Sequence, residues 1–159
     1  MRPELIHPLV VHFPLALLLI GALLRFIHLF FRKNKIGQIT FQTSFLLLAI
    51  GVFFAWITVG AGEVAEDIVS KKLCNPDYLE LHKHLAYSAA YVFSLGFAFD
   101  LVMAWKKSWF VSWKMLSSCS VAIIYLAAAV ILIFAGMHGA SLVYDQGAAV
   151  ENICHQGTY

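Results

Sequence analysis

Residues 9–31 read LVVHFPLALLLIGALLRFIHLFF, and only His12, Arg25 and His28 interrupt the apolar run. A helix needs about 20 such residues to cross the hydrocarbon of a bilayer. Three further stretches meet that length, at 41–61, 85–105 and 115–137. Lipid offers backbone amides no partners, so helices are the economical spanning structure. The alternating pattern of an outer-membrane barrel is absent. The sequence predicts an all-α integral membrane four-helix bundle, a single domain over residues 1–159.

Composition agrees. Of 159 residues, 61% are hydrophobic and only 13% charged, against roughly 25% charged in soluble domains. That balance excludes a disordered chain, a disulfide mini-domain and an ordinary cytosolic enzyme. A formal net charge of +2 leaves no bulk charge for nucleic-acid binding. The first span is too long for a cleavable signal's apolar core and has no small-residue cleavage site, so it is expected to stay in the protein.

Charge then orients the bundle. Arg32, Lys33 and Lys35 lie in the first connection, with Arg25 a few turns earlier, and Lys106, Lys107 and Lys114 lie in the third. Glu4, Glu63, Glu66, Asp67, Asp77, Glu80, Asp145 and Glu151 lie in the N-terminus, the second connection or the C-terminal tail. The positive-inside rule puts both termini and the second connection on the outer, periplasmic side of a bacterial inner membrane. Cys74 and Cys154 then share an oxidising compartment, and a disulfide between them is expected. Cys119 reads as a small buried apolar residue.

The histidines carry the chemistry. Five of the seven, His7, His12, His82, His84 and His138, fall at the outer ends of spans one, three and four. Imidazoles at membrane depth face the bundle interior or a polar cavity. His82 and Asp100 stand eighteen residues apart, an integral five turns, and share a face with Ala86, Ala89, Phe93 and Gly96. His84 points about 200° away from His82 at 3.6 residues per turn. The same count puts His12 with Ala16, Leu19, Leu23 and Phe26, and His138 with Phe134, Ile131, Ala127 and Ser120. The expected interior set is His12, His82 and His138, with His84 in reserve. Pro14 suits a first helical turn, which predicts a regular helix from near His12 and an extended lead-in at His7-Pro8.

Two imidazoles on facing helices can ligate a porphyrin, the bis-histidine pattern of a membrane cytochrome. Gly60, Gly62, Gly136 and Gly139 leave room for a flat macrocycle, although close helix packing needs small residues too. A copper or zinc site built with Glu63 or Glu66 is the alternative. A proton or quinone site using His12 is a third option. Asp100 lies about 27 Å along its helix from His82, at 1.5 Å per residue, and Arg25 at similar depth is its expected partner. Trp105, Trp109, Trp113 and Tyr144 read as interfacial anchors. No nucleophile elbow or phosphate-cradling loop is present, which disfavours a hydrolase.

The opening motif, His7-Pro8-Leu9-Val10-Val11-His12-Phe13-Pro14, resembles that of a bacterial family of small four-span membrane proteins known as a domain of unknown function. The likeness continues at Leu81-His82-Lys83-His84-Leu85-Ala86-Tyr87 and closes at Gly139-Ala140-Ser141-Leu142-Val143-Tyr144-Asp145-Gln146-Gly147. Ala140, Ala148 and Ala149 depart from its glycine-rich end. The resemblance implies the four-span topology and marks His7, Pro8, His12, Pro14, His82, Gly139, Tyr144 and Gly147. Relatives fused to cytochrome c-like and Rieske-like modules make electron transfer the associated expectation. Together these readings favour a b-type haem protein with axial ligands from His12, His82 and His138, exchanging electrons with a redox protein or quinone. Copper or zinc handling is the first rival. A structural subunit of a larger assembly or homo-oligomer, surrounded by lipid, is the second.

Overall fold

The structure is a computed structural model that describes residues 3–73, 75–105 and 114–148. A 3₁₀ turn at Pro3–Leu5 leads into α1 (Ile6–Phe31), followed by α2 (Lys35–Val69), α3 (Asp77–Trp105) and α4 (Lys114–Tyr144). All four are long and apolar enough to cross a membrane. The helices outrun the predicted spans, chiefly at the end that carries the histidines. Most of the second connection is helical, so residues 70–76 alone join α2 to α3. The lead-in expected at His7-Pro8 is instead the first turn of α1. Pro8 fits there because backbone N–H groups in a first turn have no intrahelical partner to lose. Pro14 sits inside α1, buried.

The buried positions repeat with a coiled-coil period. The repeat runs through Pro14, Leu18, Gly21 and Arg25 on α1, with Ala22 beside it, and through Ser44, Leu48, Gly51, Thr58, Ala65 and Val69 on α2. On α3 it runs through Ala89, Phe93, Gly96 and Asp100, and on α4 through Val121, Tyr125, Ala128, Ala135 and Leu142, with Ala90, Ala122 and Ala129 flanking it. Spacings of three, four and seven keep one seam facing the partner helices. Small residues dominate that seam, as expected where lipid removes the hydrophobic drive and close packing must replace it. A Cβ at Gly21 would stand 2.9 Å from Leu48 Cγ, and one at Gly51 2.8 Å from Leu18 Cδ2. The two glycines thus exchange leucines across α1 and α2. Gly96 does the same for the Tyr125 ring, whose Cε1 would lie 2.9 Å from an added Cβ.

Packing is closest within two α-hairpins, α1 with α2 and α3 with α4, while the α1–α4 and α2–α3 seams are thinner. The α1–α2 turn is tight enough that a Cβ on Gly37 would run into the Phe31 carbonyl oxygen. Asn34 Oδ1 accepts from Gly37 N at 3.0 Å and caps α2. His28 Nδ1 donates to the Gly37 carbonyl at 2.8 Å, which gives the histidine at this end of the bundle a structural role. Beyond α4 the chain turns at Gly147, φ 71°, and folds onto the α2–α3 connection. Asn75 N donates to Gln146 Oε1 at 2.9 Å, and Val69, Leu142 and Ala148 pack with Leu73 and Leu79. Pro3 and Ala148 therefore lie at the same end of the bundle.

One charged group joins the hairpins in the interior. Arg25 of α1 and Asp100 of α3 form the expected ion pair, both nearly inaccessible. Tyr125 of α4 donates its hydroxyl to the other Asp100 oxygen at 2.9 Å. The Arg25 guanidinium carbon lies 4.3 Å from the ring centroid of Phe41 on α2. Removing one partner of such a pair leaves an uncompensated buried charge, at a cost of about 3–5 kcal/mol. Asp100→Leu is expected to destabilise the protein by that order, and Arg25→Leu in the same chain to restore most of the loss. Unfolding in detergent by heat or denaturant measures both variants.

Candidate functional site

Arg25 and Asp100 also fix what happens at the opposite end of the bundle. Helices α1 and α3 run in the same direction, so the ion pair sets their relative register. His7 stands eighteen residues before Arg25, and His82 eighteen residues before Asp100. Eighteen residues are five whole turns, about 27 Å. Each helix therefore returns an imidazole to the face and depth that the ion pair defined. The His7 and His82 rings meet with centroids 6.2 Å apart and planes at 84°.

Each ring is held by its own hairpin. His7 Nδ1 donates to the Thr58 carbonyl on α2 at 3.0 Å, and His82 Nδ1 donates to the Ala135 carbonyl on α4 at 2.9 Å. Both bonds select the tautomer whose Nε2 is free to act as donor to a metal centre. The supporting positions are glycine for a spatial reason. A Cβ on Gly62 would lie 3.1 Å from His7 Nδ1, and one on Gly139 would lie 3.0 Å from His82 Cε1. One layer of the bundle thus consists of two imidazoles from α1 and α3 and two bare backbone positions from α2 and α4. The Thr58 hydroxyl beside it is buried and has no hydrogen-bond partner among the described residues.

The structure pairs His82 with His7, which lies outside the set of three that helical phase selected. His82 lies in the interior layer as expected. His12 is exposed, its Nδ1 donating to the Pro8 carbonyl of its own helix at 2.9 Å. The face it shares with Ala16, Leu23 and Phe26 is exposed, whereas the buried face of α1 runs through Pro14, Leu18, Gly21 and Arg25. His138 is half-buried and bonds its own Phe134 carbonyl at 3.0 Å, yet it lies close enough to His82 to interact electrostatically. His84 is exposed and pairs with Glu80 one turn earlier, at 3.2 Å. Because His82 and His84 both lie within α3, they cannot chelate as an extended pair. Glu63 accepts from the Tyr87 hydroxyl and Glu66 pairs with Lys83 at 3.0 Å, and each carboxylate is thus engaged by α3. The eighteen-residue count that found His82 from Asp100 would have found His7 from Arg25. Cys74 and Cys154 lie outside the described residues, although Leu73 and Asn75 on either side of Cys74 are held against the segment after α4.

Comparison with known proteins adds membership and little else. The chain belongs to the family described as predicted membrane protein (DUF2231), which matches residues 3–152. No curated protein and no solved structure matches it.

The glycine contacts make a prediction that is independent of any ligand. Gly139→Val drives a side chain into the His82 ring and is expected to cost about 1–3 kcal/mol, as overpacking does. Gly60→Val meets open space, with nothing within 4 Å of an added Cβ, and is expected to change stability by less than about 0.5 kcal/mol. Unfolding midpoints of the two variants in one detergent test the contrast.

Proposed function

We propose that this member of the family binds a b-type haem through His7 and His82 and carries single electrons at one face of the membrane. The observation that carries the reading is the convergence of two imidazoles, one per hairpin, each with Nδ1 already bonded to a backbone carbonyl. That carbonyl is the outer partner that orients a ligating histidine and raises its basicity. The flanking glycines supply bare backbone on the two remaining helices, and the Thr58 hydroxyl, buried without a hydrogen-bond partner among the described residues, is a polar atom available to a bound group. When bound, the haem supplies reversible one-electron storage. The chain's own contribution is to hold two neutral imidazoles, keep their Nε2 atoms available and shield the site between hairpins.

The donor set favours haem over copper or zinc. Structural zinc uses four protein ligands and catalytic zinc three. Among the described residues, no group of three or more His, Cys, Asp or Glu is placed to hold a metal ion. Two imidazoles would suffice to hold a haem. The histidine layer lies at the end remote from Arg32, Lys33, Lys35 and Lys114, which supports a periplasmic site in a bacterial inner membrane. A quinol or a periplasmic redox protein is the corresponding partner.

The test is a visible spectrum of the protein expressed with ample haem and purified in mild detergent. A Soret band is expected, abolished in His7→Ala and in His82→Ala and retained in His12→Ala and His84→Ala. Absence of the band in the unaltered protein, or its survival without His7 or His82, overturns the assignment. Elemental analysis of the same sample separates the copper or zinc reading. A cofactor-free protein that co-purifies with a partner supports the structural-subunit reading instead.

A further inference from the structure

The α2–α3 seam carries a second constellation beside the histidine layer. Trp56 of α2 and Tyr91 of α3 meet edge to face at 4.9 Å, and Tyr87 stacks beyond Tyr91 at 6.3 Å with planes 25° apart. Trp56 Nε1 donates to Ser94 Oγ at 3.0 Å, and Ser94 donates to the Ala90 carbonyl at 2.7 Å. The indole is thereby held across the seam. Above it, Tyr87 donates its hydroxyl to the Glu63 carboxylate. Tyr91 is 60% exposed, and Leu95 one turn below it and Phe53 one turn below Trp56 are 62% and 64% exposed. The result is an aromatic surface topped by a phenol–carboxylate pair and continued toward mid-membrane by apolar side chains.

We infer that this seam binds the head ring of a membrane quinol, with Glu63 and Tyr87 on its hydroxyl groups and Tyr91 against its face. The ligand must be lipid-soluble, because the surface lies on helices that span the bilayer. It must be flat and apolar to rest on Tyr91, and its polar groups must donate, one to the Glu63 carboxylate and one to the oxygen of Tyr87, whose own proton is already given to Glu63. A hydroquinone ring satisfies all three demands, and its prenyl tail matches the run of Phe53 and Leu95. A phospholipid headgroup fits poorly: Lys83, the cation at this height, is already paired with Glu66, and the Trp56 and Tyr91 rings pack on each other instead of opening as a cage for an ammonium group.

Position joins this surface to the proposed haem site. Glu63 directly follows Gly62, which backs His7, and Tyr87 stands five residues, about 7.5 Å, beyond His82. The inference takes its electron-transfer purpose from the haem reading, but binding itself is measurable with or without haem.

Replacing Trp105, Trp109 and Trp113 with Phe leaves Trp56 as the sole tryptophan. That protein is reconstituted in phosphatidylglycerol vesicles and titrated with decylubiquinol. Saturable quenching of Trp56 is expected, with apparent affinity weakened at least tenfold by Tyr91→Leu and by Glu63→Gln. Tyr87→Phe, the gentler change, is expected to weaken it severalfold while circular dichroism stays unchanged. Quenching that rises linearly with quinol content, or is indifferent to all three substitutions, overturns the inference. So does loss of the saturable phase when phosphatidylethanolamine replaces part of the phosphatidylglycerol, since that outcome identifies a headgroup site. Saturable binding in a protein without a Soret band would refute the haem and keep the quinol site.

Discussion

A buried charge in a membrane is tolerable only when another group answers it, and in this bundle the answer comes from three other helices at once. Arg25 places its guanidinium over Phe41 of α2, against Asp100 of α3, while Tyr125 of α4 bonds the second carboxylate oxygen. The cost of removing these groups from water is offset only in that arrangement. Sliding α1 against α3 by one residue would move one partner by 1.5 Å and turn it by about 100°. Few apolar contacts are as specific about register. In a seam of Ala, Gly and Leu, many alignments pack comparably, so the ion pair is what selects one.

That selection extends the length of the bundle. Within each hairpin, glycines and leucines interlock closely, and each hairpin carries one imidazole tied to its own partner helix. Between hairpins the packing is thinner, and polar bonds supply much of the linkage: Trp56 to Ser94, Lys83 to Glu66, Tyr87 to Glu63 and Asn75 to Gln146. The two histidines meet across this thinner interface, so a group that took both would bind the hairpins to each other. Binding and docking would then be linked, in the sense that any ligand holding the docked state stabilises it.

Most of the scaffold was legible in the sequence. Four long apolar runs gave four helices, and the isolated Arg25 and Asp100 could be paired because each lacks another partner at its depth. His82 was found by its phase with Asp100. What escaped the sequence was the start of α1. A helix boundary is the least reliable feature of such a reading, and Pro8 and Pro14 offered two candidate first turns. Choosing the second one placed His7 in a lead-in and left His12 as the histidine to be fitted inward. The correct start was implied by Arg25, since the interior face of a helix does not change along its length, and that face passes through residues 25, 21, 18, 14 and 7. The settings of Glu63 and Glu66 were hidden for a different reason. Their partners, Tyr87 and Lys83, lie on another helix, and sequence spacing within one helix cannot show them.

The two eighteen-residue intervals also bear on why the histidine layer is built from α1 and α3. Neighbouring helices in an up-and-down bundle run antiparallel, so equal sequence offsets from a common contact carry their residues to opposite ends. Only the parallel pairs, α1 with α3 and α2 with α4, convert an equal offset into an equal depth. Here α1 and α3 carry the charges and the imidazoles. On α2 and α4, backbone carbonyls at Thr58 and Ala135 accept from the rings, and glycines leave space beside them. The two imidazoles that meet are therefore placed on the parallel pair whose register is locked by an ion pair. The small-residue helices complete it by carrying nothing that would fill the space.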